Sequence, residues 1–155
     1  ALTPQAVSLP LRMVKRHQGD YTWEGVPVLP YKEDGNTFRS VTRQVLHEGQ
    51  DDLTAELRYF EVGPGGHSTL ERHQHSHHVL IFRGSGRVLV GEEIREIGYG
   101  DLVRVPPMTW HQFRASEDEP LGFLCLVACE RDRPQRPTQE DLEGFPKEVA
   151  DFVRV

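Results

Sequence analysis

Glycine, proline and acidic turn residues interrupt the chain about every ten residues between Thr42 and Cys129, leaving room for short strands and little helix. Thr42–His47 is a β-type run. Leu53–Val62 (LTAELRYFEV) alternates, with Leu53, Ala55, Leu57 and Tyr59 on one face and Thr54, Glu56 and Arg58 on the other. Pro64-Gly65-Gly66 reads as a turn, Ser68–His75 and His78–Phe82 as strands, and Gly84-Ser85-Gly86 as a hairpin. Arg87–Val90, Glu93–Ile97 and Leu102–Val105 follow, separated by Gly91 and by Gly98 with Gly100. Gln112–Ala115 leads to an acidic turn at Ser116–Pro120, and Leu121–Cys129 is nearly all apolar, as a buried strand is. Thr138 with Asp141 predicts a capped helix through Leu142 toward Val149, interrupted by Gly144 and Pro146. The pattern therefore predicts an all-β barrel or sandwich over residues 41–130. An extended N-terminal arm (1–40) precedes it, and a C-terminal tail with a short helix (131–155) follows. Strand pattern alone does not choose the topology.

A chain of 155 residues suits one domain with a real core. It has no run of about 18 apolar residues, so no spanning helix and no membrane partner are expected. The net charge of −6 argues against nucleic acid, which is met by a basic stripe. The nearest candidate, Arg131–Arg136, is diluted by Asp132, Pro134 and Gln135 and reads as a solvated loop. Ala1–Pro10 lacks the basic-then-apolar pattern of a secretory leader. Cys125 and Cys129, on one extended strand, would stand about 13 Å apart. A disulfide needs Cα atoms within about 7 Å. Both cysteines are therefore expected as free thiols in a reducing compartment, which predicts a cytoplasmic location. No Ser-His-Asp pattern, P-loop or dinucleotide fingerprint is present. The glycine-rich pieces read as β-turns.

Five of the eight histidines fall between His67 and His78. Neutral imidazole offers a ring nitrogen to a metal near neutral pH. On an unbroken strand, Glu71, His73, His75 and His77 would share one face. By itself such a cluster fits a solvated turn as well as a metal site. A second polar constellation, GDLVRVPPMTWHQF, favours the metal reading by setting His111 after a Gly-Asp turn and a Pro-Pro break.

Together these segments resemble the two motifs of the cupin superfamily. For the second motif, Gly100 is followed by five residues and Pro106. Met108 stands where glycine is usual, His111 at the histidine, and Ala115 where asparagine is usual. For the first, Gly65 is followed by five residues and Glu71 at the first histidine position. His73 stands at the second, His77 at the glutamate position, and Gly84 closes the motif. The resemblance covers about residues 55–129 and implies a jelly-roll β-barrel with one divalent transition metal (Fe, Mn, Ni, Zn or Cu) in its cavity. Strict spacing makes Glu71, His73, His77 and His111 the ligands. The rival register pairs His73 with His75, takes His77 or His78 third, and moves Glu71 behind the ligands. His67 and His78 are expected at the surface or behind the ligands.

Tyr59, Phe82, Phe113 and Phe123 are candidate cavity walls. Arg58 and Gln44 could orient an acidic ligand but are expected as exposed strand residues, and Cys125 is expected as a buried core thiol. The expected function is a metal-dependent, oxygenase-like enzyme on a small polar molecule, with isomerase or lyase chemistry behind it. The alternative is a non-catalytic small-molecule or metal-binding sensor. A homodimer is expected, its strand edges covered by the N-terminal arm.

Overall fold

The computed structural model describes residues 13–31 and 39–155. Eight strands and two short helices appear in chain order: β1 (Leu29–Pro30), β2 (Arg39–His47), β3 (Ala55–His67), β4 (His77–Val90), β5 (Glu93–Gly98), β6 (Leu102–Val105), β7 (His111–Ala115), β8 (Leu121–Ala128), α1 (Gln139–Glu143) and α2 (Lys147–Phe152). Every pairing is antiparallel. The two long strands β3 and β4 are bridged by others. β8 lies between their first portions, with Phe123 opposite both Phe60 and Ile81. β7 lies between their far ends, with Arg114 opposite both His67 and Arg87. β2 flanks β3, while β6 and β5 flank the two halves of β4. The result is the jelly-roll barrel that the resemblance implied.

Two of the expected turns lie inside strands. Pro64-Gly65-Gly66 forms an irregularity in β3, where the pairing with β2 jumps from Val41–Val62 to Arg39–His67. Gly84-Ser85-Gly86 is not a hairpin. β4 runs straight through it and changes neighbour there, from β8 at Gly84–Leu121 to β7 at Gly86–Ala115. A Cβ on Gly84 would collide with the Pro120 carbonyl oxygen, and one on Gly86 with that of Arg114. The glycines serve a crowded barrel corner. Ser68–His75, expected as a strand, is an extended loop tied by isolated bridges of Glu71 to His111 and Arg72 to Gln135. The late helix splits at Gly144–Pro146 into α1 and α2. Thr138 and Asp141 form the anticipated reciprocal cap on α1.

Pairing with β2 and β8 sets which face of β3 turns inward. Phe60 and Val62 enter the core with Val41, Ile81, Phe113 and Phe123, and Arg58 shares their face. Tyr59 therefore points outward, yet is only 1% exposed. Tyr21, Trp23 and Phe82 cover it at ring separations of 6.1, 5.3 and 6.5 Å. Tyr59 and Phe82 thus belong to an outer aromatic cluster that docks the N-terminal arm, and they do not line the cavity. Gln44 and Arg58 are buried as well, against expectation. Gln44 donates from Nε2 to the Tyr21 carbonyl, beneath the same cluster. On another outer face, Val149 and Phe152 of α2 pack with Val153 against Leu70 and Leu89. Each such side chain contributes about 1.5–3 kcal/mol.

Candidate metal centre

Three elements bring the histidines together. His77 opens β4, His111 opens β7, and His73 lies in the loop before β4. Paired backbone hydrogen bonds between Glu71 and His111, of 3.3 and 3.0 Å, hold that loop along the start of β7. The Met108 N–H donates to the His73 carbonyl at 2.7 Å, so the Pro-Pro break also grips the loop. One nitrogen from each of His73, His77 and His111 falls within a group whose members all lie within 4.8 Å of one another.

The ring hydrogen bonds decide which nitrogens are free. His73 Nδ1 donates to the His75 carbonyl at 2.5 Å, and His111 Nδ1 donates to the Thr109 carbonyl at 2.9 Å. A carbonyl only accepts, so Nδ1 carries the hydrogen and Nε2 keeps its lone pair. The Nε2 atoms of His73 and His77 are buried without a hydrogen-bond partner. Such orphaned groups carry a desolvation penalty that a bound cation would offset. Burial, above all, keeps the rings neutral. It holds His73 at about 4, from an ordinary 6.5, depresses His77 strongly, and lowers His111 as well. Neutral imidazole is the form a metal requires.

The two contested residues lie outside this group. Glu71 is buried beside it, its backbone paired with His111. His75 stacks on His73 at 3.7 Å and 5°, and its Nδ1 points to Asp132 Oδ1 at 2.7 Å. His78 is exposed, and His67 Nδ1 meets the Ser68 carbonyl at 3.0 Å.

A cavity of about 40 Å³ adjoins the histidines, walled by Phe113, Phe123, Glu71, Tyr31 and Cys125 among others. Phe113 and Phe123, both anticipated as walls, stack at 4.4 Å. Tyr31 and Cys125 were not anticipated there. Cys125 shares strand parity with Phe123, which was a usable signal. Tyr31 sits in an aperiodic segment that offered none. The Cys125 Sγ lies 3.4 Å from His77 Nδ1 and accepts a hydrogen bond from Arg58 Nη2 at 3.4 Å. Burial pushes this thiol up, and Arg58 opposes that shift. Arg58 also lies over the Phe60 ring at 4.8 Å. Three neutral imidazoles could hold a cation with a coordination position left open, next to a buried thiol.

A jelly-roll barrel with converging histidines from both motifs defines a class, and this chain belongs to the cupin superfamily. The cupin domain family model matches residues 58–127. The chain is 58% identical over 132 residues, 84% of each chain, to 1-methylthio-D-xylulose 5-phosphate methylsulfurylase of Rhodospirillum rubrum. Its structure is similar to that of a cupin 2 conserved barrel domain protein from Rhodopseudomonas palustris, with a TM-score of 0.87 and 50% identity over 92% of this chain and 99% of that one. A cupin-2 domain from Rhodospirillum rubrum gives 0.81 and 55%, over 91% and 96%. Among the described residues no helix is long and apolar enough to cross a membrane.

Proposed function

We propose that this chain is a metal-dependent methylsulfurylase that removes the methylthio group from 1-methylthio-D-xylulose 5-phosphate or a close analogue. The observation that carries this reading is Cys125, a buried thiol on the cavity wall, 3.4 Å from a histidine of the metal-binding group. The substrate is suggested by the relative that is 58% identical. The cavity of about 40 Å³ suits a small reacting end group rather than a whole sugar phosphate.

The substrate's ketone stands next to the carbon that carries sulfur. Cys125 Sγ, as thiolate, attacks the methylthio sulfur. An S–S bond forms, and the C1–S bond breaks with its electron pair passing to C1. The adjacent carbonyl delocalises that pair as an enolate, and C1 then takes a proton. Glu71 and Tyr31 are the ionisable oxygen groups lining the cavity near this step. A small thiol from solution then attacks the methylthio sulfur, the Cys125–S bond breaks to return the Cys125 thiolate, and the methylthio group leaves as a mixed disulfide with that thiol. Arg58 Nη2 faces Sγ and donates to it, and His77 Nδ1, once Nε2 is given to a cation, adds a second N–H. His73, His77 and His111 would hold a divalent transition metal that polarises the substrate carbonyl.

A sulfur-transfer reading uses the buried thiol, which the oxygenase-like reading leaves idle. A homodimer remains part of the proposal, supported by an exposed apolar strip at Leu80, Leu102 and Leu126. A cytoplasmic location remains so too, supported by two free cysteines. The test is to supply the methylthio ketose phosphate and a thiol to metal-loaded protein. The expected product is the 1-deoxy ketose phosphate, with a methylthio adduct on Cys125 when the thiol is withheld. Absence of both, or oxygen consumption in their place, would overturn the reading.

A further inference from the structure

Asp132 lies in the tail beyond β8, outside both sequence motifs, yet it grips the loop that carries His73. Its Oδ2 accepts the Gln74 backbone N–H at 2.8 Å, and its Oδ1 accepts the His75 backbone N–H at 3.0 Å. The His75 ring adds a third contact from Nδ1 to Oδ1 at 2.7 Å. Three residues on, the tail pairs again with the loop, through reciprocal Arg72–Gln135 backbone bonds of 3.0 and 2.7 Å. The loop's other edge is bridged to His111. Residues 71–75 are therefore a strip held between β7 and the tail.

His73 is oriented by His75 in two ways. Its Nδ1 donates to the His75 carbonyl, and its ring lies flat on the His75 ring at 3.7 Å. Asp132 holds both the backbone and the ring of His75. We propose that Asp132 is a positioning residue of the metal centre: it locks His75, and through His75 it fixes the orientation and tautomer of His73. His75 is then the residue that aims a ligand. This rests on the reading of His73 as a ligand.

Bonds to a carboxylate are about twice as strong as neutral ones, and partners that orient a metal-binding histidine typically affect metal affinity by about 10–100-fold. The experiment compares the full-length wild type with Asp132→Ala, Asp132→Asn and His111→Ala. Co(II) affinity is titrated, and the His73 Nδ1–H signal is followed by NMR in the metal-free protein. Asp132→Ala should weaken Co(II) binding about 10–100-fold and broaden the Nδ1–H signal by exchange, while the metal-free protein stays folded with its melting temperature lowered by only about 2–8 °C. Asp132→Asn, which keeps one acceptor oxygen, should recover part of both. Wild-type affinity in Asp132→Ala, with binding lost in His111→Ala, would overturn the proposal and leave the metal reading intact. If the wild type takes up no Co(II), the metal reading falls, and a sharp Nδ1–H signal in Asp132→Ala overturns the positioning role as well. A collapsed melting temperature in both Asp132 variants would also overturn it, because the carboxylate would then be holding the fold.

Discussion

Replacing Gly84 by alanine tests whether this segment is a barrel corner or a hairpin tip. Gly84 has a φ of +68°, a region that costs an L-residue about 1–2 kcal/mol. The added Cβ would also run into the Pro120 carbonyl, a backbone atom in the turn between β7 and β8 that cannot swing aside as a side chain does. Overpacking of this kind costs about 1–3 kcal/mol. The two effects sum to about 2–5 kcal/mol, and a domain of this size loses about 2–4 °C per kcal/mol, so the melting temperature should fall about 4–20 °C. Gly98→Ala is the control. Its Cβ would meet nothing within 4 Å and its φ is not positive, so stability should stay within about 1 kcal/mol of wild type. Thermal and urea denaturation with a chelator present would measure both, since bound metal would mask the difference by mass action. A loss no larger than about 1–2 kcal/mol, the cost of the positive φ alone, would refute the corner argument, because a solvent-facing turn tip has no backbone carbonyl to strike.

Three further outcomes can be checked. His111→Ala should abolish stoichiometric metal by elemental analysis, whereas His75→Ala should only weaken it, by about 10–100-fold. Cys125→Ser should keep its metal and lose methylthio transfer, and in the wild type a thiol reagent should modify the half-buried Cys129 before the buried Cys125. Metal-free protein should lose stability as pH falls from 6.5 toward 4. There the unfolded histidines take up protons, while burial holds His73 neutral down to about 4 and depresses His77 and His111 too. A flat denaturation midpoint between pH 7 and pH 5 would contradict this.

Local rules were legible where the chain's own neighbours enforce them. The Thr138–Asp141 cap, the separate strands β5 and β6, and the second-motif spacing that delivers His111 each depend on residues close in sequence. Gly84-Ser85-Gly86 and Pro64-Gly65-Gly66 show the complementary case. Glycine permits a tight turn and a close backbone approach equally well, and only the strands packed at those points choose between them. The same holds for β3. Its alternation was plain in the sequence, but pairing with β2 and β8 turned Arg58 and Phe60 inward and sent Tyr59 out under the arm.

The site divides along the same line. Histidine content and spacing pointed to a cluster that could hold a metal, because ligand chemistry is a property of residue type. Which histidines converge depends on where β4 and β7 begin and on the bridges that lay the loop along them. The Asp132 grip on His75 spans 57 residues, and the Cys125–His77 contact spans 48. No local pattern encodes such separations. The sequence by itself thus determined a strand-built domain carrying clustered imidazoles. Tertiary pairing decided that His75 turns to a carboxylate and a thiol meets the three-histidine group, because only the folded chain brings those distant segments within hydrogen-bond reach.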